Sequence, residues 1–153
     1  MNEFDRISEL LLSSLQPMAL AMIKVTLPLT AISFSLGLLI AILTAIARIA
    51  NIKILKQLSE FYIWIFRGTP LLVQLFIVYF GLPILGVTLD VWSAAIITFS
   101  LNIGAYASEA VRAAVLSVPK GQWEAATALG MSYTQILRRI IAPQAARISL
   151  PPL

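Results

Sequence analysis

The sequence contains neither cysteine nor histidine, and few of its 153 residues carry charge. Without cysteine there are no disulfides and no thiolate chemistry, and without histidine there are no histidine-based metal sites or acid–base catalysts. Charged residues make up 12% of the chain, whereas soluble domains have about 25%. These absences exclude enzymes that depend on a thiol or a histidine, and they leave few side chains that could catalyse a reaction in a membrane enzyme of another kind.

Apolar residues take up the difference, since 59% of the chain is hydrophobic. A soluble domain has roughly 45–50% apolar residues, and a domain this small keeps much of its surface in contact with water. The composition therefore predicts a membrane protein. In that class the net charge of +4 is typical of basic cytoplasmic loops, and it does not indicate nucleic-acid binding.

Three long uncharged runs predict the membrane spans, and they are Val25–Ala47, Gly68–Leu89 and Val91–Ser108. The first has 23 residues, and as a helix it would be roughly 34 Å long, enough to cross a hydrocarbon core of about 30 Å. For the second run, Thr69 is the expected N-cap and Pro70 the expected first helical residue. The third run is expected to continue past Glu109 and Arg112 as far as Val118-Pro119.

The charges that flank these runs predict the orientation. The N-terminal flank is mostly acidic, whereas Arg48, Lys53 and Lys56 follow the first run. The positive-inside rule then places the N-terminus outside and residues 48–67 in the cytoplasm. Residues 1–17 are predicted to be an external or interfacial amphipathic segment, and residues 18–153 one membrane domain. The last residues, Ile148–Leu153, resemble the start of a fourth span, so the chain is expected to be incomplete at its C-terminus.

The polar segment 118–147 is predicted to contain two short helices on the cytoplasmic side. Gln122–Leu129 is rich in helix formers, and Gly130 occupies a position that favours positive φ. Ser132 and Gln135 have the spacing of a capping box, which starts the second helix. An alternative interpretation is an amphipathic helix resting on the inner leaflet, with Arg138 and Arg139 near lipid phosphates. The apolar face of the second helix, from Ile136 to Ile141, is expected to serve as much for attachment to helices of the subunit that follow this chain as for contact with a partner.

Within this segment the sequence reads Glu124-Ala125-Ala126, three residues, Gly130, nine residues, Ile140, one residue, Ala142-Pro143. This resembles the EAA motif of ABC-importer permeases, EAA-x3-G-x9-I-x-LP, with Ala142 in place of leucine. Two further stretches, Arg67–Gln74 and Leu101–Gln122, resemble signatures of permeases in the polar-amino-acid branch. The resemblance covers nearly the whole chain.

The resemblance implies an all-α membrane protein with the type I transmembrane domain of ABC importers. About five spans are expected in full-length members, of which this chain holds about three and the start of a fourth. The implied partners are a cytoplasmic ATPase dimer, an external substrate-binding protein, a second permease subunit and membrane lipid. The implied location is the bacterial inner membrane, which the chain crosses several times. No GxxxxGK[ST] loop occurs, so ATP is expected to be bound and hydrolysed by the partner, with no cofactor and no enzyme activity in this chain.

The resemblance also implies roles for individual residues. The ATPase-coupling residues would be Gly121, Glu124, Ala125, Ala126 and Gly130. Alternative interpretations are a truncated, inactive relative or an ATP-independent channel or transporter. The motifs do not distinguish basic, acidic, glutamine-type and cystine-type systems, nor homodimers from heterodimers.

Polar side chains within the spans are candidates for the substrate pathway, because such groups are costly in a membrane. The candidates are Gln74, Asn102, Tyr106, Glu109 and Arg112. Each has a structural alternative. Glu109 and Arg112 stand three residues apart and are expected to pair on one helix face, and Asn102 can bind a neighbouring helix. Gly104, Ala105 and Ala107 are expected to permit close packing of helices.

Overall fold

Two long helices that lie side by side form the frame of the chain. The computed structural model describes residues 3–50 and 52–151, and these residues contain helices and their connections but no strand. The two framing helices are α2 (Leu27–Ile49) and α5 (Val91–Ser117). Both are long and apolar enough to cross a membrane. The expected all-α membrane fold is confirmed.

The first helical stretch is longer than the predicted span. Helix α1 (Glu3–Ala21) continues through a π-helical turn (Met22–Thr26) into α2, so that Ile7–Ile49 is one apolar helix of 43 residues. Its length is about 65 Å, twice the hydrocarbon core. The helix is continuous at residue 17, where the boundary between the N-terminal segment and the membrane domain was expected. The location of residues 1–17 relative to the membrane stays a prediction, and residues 1 and 2 lie outside the described part.

The second span differs from its prediction at both ends. Helix α3 (Lys53–Gly68) is followed by a helical stretch, Leu71–Leu85, at a bend of 105°. Thr69 is extended (φ −124°, ψ 142°) because a residue before proline is pushed out of the helical region, and Pro70 is the N-cap (φ −61°, ψ 139°). The helix therefore starts at Leu71, and the predicted roles of Thr69 and Pro70 were wrong by one residue.

The stretch Leu71–Leu85 is also short. It consists of α4 (Leu71–Phe76), a π-helical turn (Ile77–Gly81) and a 3₁₀ turn (Leu82–Leu85), and it ends at Gly86 with φ +84°. Fifteen residues span only about 22 Å, so this stretch crosses a membrane only together with α3 as one bent span. Two long helices and this bent pair give the chain two or three spans.

Each π-helical turn in the described residues ends two positions before a proline. The turns Met22–Thr26, Ile77–Gly81 and Leu137–Ile141 precede Pro28, Pro83 and Pro143. Proline has no N–H for the carbonyl four residues before it, and its ring collides with that carbonyl. A π turn moves the backbone pairing by one residue and so accommodates the ring. Pro17 is the exception, since it lies inside α1 without such a turn.

Helix α5 agrees with its prediction. It is capped by Asp90, whose carboxylate accepts hydrogen bonds from Trp92 N and Ser93 N, and it runs past Glu109 and Arg112 to Ser117. Two of the four N–H groups that a helix start leaves without a backbone partner thereby gain one from a side chain. The helix ends just before Val118-Pro119, as expected.

The segment 118–147 has the two predicted helices. Helix α6 (Lys120–Ala128) is followed by Gly130 with φ +72°, and a capping box between Ser132 and Gln135 starts α7 (Tyr133–Ile136). A π-helical turn (Leu137–Ile141) joins α7 to α8 (Ala142–Ser149). Ile148 lies in the last turn of α8, and the expected start of a fourth span at Ile148–Leu153 stays a prediction.

Close contact between α2 and α5 depends on two glycines. A Cβ atom at Gly37 would lie 2.7 Å from Ile103 Cγ2, and one at Gly104 would lie 2.6 Å from Ile40 Cγ2. Small residues that let backbones approach are typical of helix pairs in membranes. The expected packing role of Gly104 and the buried Ala105 is confirmed.

Candidate functional site

One face of α5 carries polar side chains along two turns. Asn102, Tyr106 and Glu109 are spaced by four and three residues, which puts them on the same side of the helix. This side faces the bend between α3 and α4 and the end of α2. The predicted pathway residues therefore meet side chains of three other helices, in two separate clusters.

The first cluster joins Gln74 to Asn102 at the bend. Gln74 is buried, and its Nε2 donates to Phe66 O at 2.8 Å, Thr69 O at 2.9 Å and Thr69 Oγ1 at 2.8 Å. Asn102 Nδ2 donates to Gln74 Oε1 at 3.1 Å. In a helix the Phe66 carbonyl would accept from residue 70, but Pro70 has no N–H. Gln74 Nε2 thus satisfies the carbonyl that the proline leaves without a partner, and Asn102 Nδ2 lies 3.5 Å from the same oxygen, as a membrane interior requires.

The second cluster centres on Glu109. Its Oε1 lies 2.7 Å from Arg48 Nη1, in a hydrogen-bonded ion pair, and 3.7 Å from Arg67 Nη1. The expected pair between Glu109 and Arg112 was wrong, because Glu109 reaches across to the ends of α2 and α3. Arg112 is half-buried and pairs with no carboxylate among the residues that the structure describes. A pair on one helix is worth only about 0.2–0.5 kcal/mol, so the packing that brings Arg48 Nη1 within 2.7 Å of Glu109 decides the partner.

Arg67 also lies over an aromatic ring. Its Cζ is 5.3 Å from the centroid of Tyr106, within the range of a cation–π interaction. Sequence reasoning missed Arg48 and Arg67 as site residues and treated them as markers of orientation. The sequence contained the information needed, because an acidic residue inside a span needs a cationic partner, and Arg48 and Arg67 lie at the ends of two other predicted helices.

A hydrophobic cluster attaches segment 118–147 to the end of α5. Its buried members are Ala114, Val118, Ala126, Ile136, Ile141 and Ala145. Ala126 is 1% exposed and is covered by the chain itself. The face from Ile136 to Ile141 was expected to meet helices beyond this chain or a partner, but in the structure Ile136 and Ile141 pack in this cluster against the end of α5.

The other predicted coupling residues lie on the surface. Gly121, Glu124, Ala125 and Gly130 are exposed, and nothing in the described residues lies within 4 Å of a Cβ built on either glycine. Trp123 and Tyr133, with ring centroids 5.8 Å apart, connect α6 to α7 across the turn at Gly130. The exposed part of α6 is therefore a small surface of mostly short side chains, and packing on its other side holds the helix against the rest of the chain.

The site carries charges and hydrogen-bonding groups suited to holding a polar ligand or a partner protein. Among the described residues no group of three or more acidic side chains could hold a metal ion.

Comparison with known proteins places these features in a family. The model of the binding-protein-dependent transport system inner membrane component matches residues 37–153. The L-cystine transport system permease protein TcyB of Bacillus subtilis (strain 168) is 49% identical, over 95% of this chain and 62% of that protein. The arginine transport system permease protein ArtQ of the same organism is 39% identical, over 90% of this chain and 63% of that protein.

A solved structure agrees with these sequence matches. The chain is similar to a chain in the crystal structure of an amino acid ABC transporter with histidines, with a TM-score of 0.83 and 35% identity. The alignment covers 94% of this chain and 67% of that one. The chain spans about three fifths of the length of the first curated relatives that it matches.

Proposed function

The chain belongs to the family of inner membrane components of binding-protein-dependent transport systems, and on that premise we propose that it is the permease subunit of an ATP-driven amino-acid importer. The proposal is supported by relatives whose names include cystine, glutamine and arginine transport. It is also supported by apolar helices long enough to cross a membrane.

The observation that carries the proposal is the mounting of segment 118–147 on α5. An exposed patch of Gly121, Glu124 and Ala125 is held by a buried cluster that includes Ala126 and Val118. A force applied to α6 is thereby passed directly to a spanning helix. We assign the contact with the ATPase to Gly121, Glu124, Ala125 and the turn at Gly130, and we assign Ala126 the role of fastening α6.

The proposed partners are those that the family implies. They are a cytoplasmic ATPase dimer that binds and hydrolyses ATP, an external substrate-binding protein and a second permease subunit. The proposed location is the bacterial inner membrane, with the N-terminus outside and segment 118–147 in the cytoplasm. The cations Arg48, Lys53 and Lys56 support this orientation through the positive-inside rule.

The proposed pathway roles are unequal. Tyr106 and Glu109 are partly accessible, and the ring of Tyr106 and the carboxylate of Glu109 lie near the half-exposed Arg67, so they suit contact with a moving substrate. Gln74 and Asn102 have their amides committed to the bend, so their support for a pathway is indirect. The pathway role of Arg112 stays a prediction.

Adjacent alanines on α6 provide a test with a matched control. Because the chain has no cysteine, A125C and A126C each introduce a single thiol, the first exposed and the second buried. In inside-out vesicles a membrane-impermeant maleimide should label A125C quickly and A126C slowly. Added ATPase subunits should protect A125C and leave A126C unchanged.

Two results would contradict the proposal. Labelling of A125C only in right-side-out vesicles would refute the cytoplasmic position of α6. Unchanged labelling of A125C in a complex that hydrolyses ATP would refute its contact with the ATPase.

A further inference from the structure

We propose that Arg67, Glu109 and Tyr106 form a binding site for the α-carboxylate and α-ammonium groups of an amino acid. The inference rests on the proposed transport function and names the residues and ligand groups that act within it.

The charges of the second cluster do not balance. Arg48 and Arg67 bring two positive charges to the single carboxylate of Glu109. Arg48 is the closer partner, at 2.7 Å, and its side chain is only 12% exposed. Because Arg48 takes the hydrogen bond to Glu109 Oε1, the guanidinium of Arg67 has no hydrogen-bonded carboxylate of its own and can pair with the carboxylate of a ligand.

The hydrogen-bonding capacity of Arg67 is also unused. Its distance of 3.7 Å from Glu109 Oε1 is too long for a hydrogen bond, and no hydrogen bond from its guanidinium to any described residue is formed. A guanidinium has five N–H donors in a planar fork that matches a carboxylate. The side chain is 44% exposed, so a ligand can reach it, and Tyr106 holds it from one face.

A second binding group lies beside this fork. Glu109 Oε2 accepts no hydrogen bond from the described residues, and the Glu109 side chain is 30% exposed. The hydroxyl of the exposed Tyr106 is equally uncommitted in the described part of the chain. A carboxylate on Arg67 and an ammonium on Glu109 are the two groups that every free α-amino acid presents together. The site would therefore recognise the α-carboxylate and α-ammonium groups that amino acids share, and it would not distinguish their side chains.

A single thiol near the site provides the readout. Ala113 is exposed and lies one turn beyond Glu109 on α5, so A113C can report on occupancy. In the complete complex in vesicles, L-arginine, L-glutamine and L-cystathionine should slow labelling of A113C by a methanethiosulfonate reagent. L-Glutaminamide, which lacks the carboxylate, and N-acetyl-L-glutamine, which lacks the ammonium, should protect poorly.

Substitutions separate recognition from structure. In the A113C background, R67Q should raise the protecting concentration of the amino acid by roughly 10- to 100-fold and remove the preference for amino acid over amide. R67K, which keeps the charge without the fork, should lie between. The control K56Q removes a cation from the same helix, where Lys56 only meets Glu60 at 4.0 Å, and should change neither quantity.

The possible outcomes distinguish the inference from the proposed function. If the complex takes up amino acids with ATP but R67Q keeps the preference for the carboxylate, the site is wrong and the transport function stands. If protection depends on anionic lipid in the vesicles and not on amino acid, Arg67 binds lipid phosphate and the inference fails. If no amino acid is taken up with ATP and a binding protein, the proposed function itself fails.

Discussion

Alanine at Gly37 should loosen the contact between α2 and α5. The new Cβ would lie 2.7 Å from Ile103 Cγ2, 2.8 Å from Ile103 Cβ and 3.1 Å from Ser100 O. Ordinary contact begins near 3.4 Å, so the atoms must separate by about 0.7 Å. Because one of them is a backbone oxygen, a rotamer change cannot relieve the collision and the helices must move apart.

The energetic cost follows from that separation. Overpacking typically costs about 1–3 kcal/mol, and a gap of this size forfeits roughly a quarter to a half of each neighbouring dispersion contact. Replacing glycine by alanine in a helix returns about 0.5–1 kcal/mol. The net loss for G37A should therefore be about 1–2 kcal/mol of unfolding free energy. For G104A the loss should be similar, since Ile40 Cβ, at 3.0 Å, is fixed to its backbone and the Tyr62 hydroxyl, at 2.8 Å, is held by its hydrogen bond to Leu101 O.

Equilibrium unfolding in mixed micelles, followed by circular dichroism as the SDS fraction rises, measures these differences. The control is G68A at the end of α3. Nothing lies within 4 Å of a Cβ built at Gly68, so this alanine should cause no collision and should only add its higher helix propensity. The double variant G37A/I103A should stay less stable than I103A, since alanine keeps the Cβ at 2.8 Å. If G37A is as stable as G68A, the account of this contact is wrong.

Four further outcomes are expected. G130V should abolish transport-stimulated ATP hydrolysis, whereas G130N should retain it, because asparagine tolerates the φ of +72° and valine does not; equal activity of the two would contradict the strain argument. Q74L should lower the unfolding free energy by about 2 kcal/mol, as measured in the same micelles, since it leaves the Thr69 carbonyl without its side-chain partner and leaves the Phe66 carbonyl and the Asn102 amide with only their long mutual contact of 3.5 Å. E109Q should cost about 1–3 kcal/mol, because it leaves the largely buried Arg48 without its carboxylate, and a loss no larger than that of E60Q would refute this. Hydrogen bonds from the side chain and then the backbone of Ser93 hold the pKa of Asp90 below its usual 3.8. The ionised cap therefore stabilises the fold above pH 3.8, and this stabilisation is lost as the pH falls through the lowered pKa. In D90N the unfolding free energy should no longer fall over this pH range.

Features that depend on a few neighbouring residues could be predicted from the sequence. The positive φ of Gly130 and the capping box of Ser132 and Gln135 were expected and are confirmed. The continuation of α5 past Glu109 was also expected from apolar length alone. Local rules succeed here because the relevant partners are at most four residues apart.

Features that depend on distant partners could not be predicted. Glu109 was expected to pair three residues away, but its partner Arg48 is 61 residues distant and becomes close only when α2 packs on α5. The bend at Pro70 and its repair by Gln74 and Asn102 required knowing where α5 lies. The three π-helical turns are an intermediate case, since the prolines that cause them are visible in the sequence but their effect depends on the helix continuing through them.

The unbroken course of α5 makes it a lever with unequal arms. Glu109 is tied to α2 and α3, and it divides the helix into a short arm of eight residues to Ser117 and a long arm of eighteen to Val91. At 1.5 Å per residue these arms are about 12 Å and 27 Å long. If the helix tilts about that anchor, a displacement of about 1 Å beside α6 becomes about 2.2 Å, in the opposite direction, at the far end. A small movement at the proposed ATPase contact would thus be amplified on the other side of the membrane.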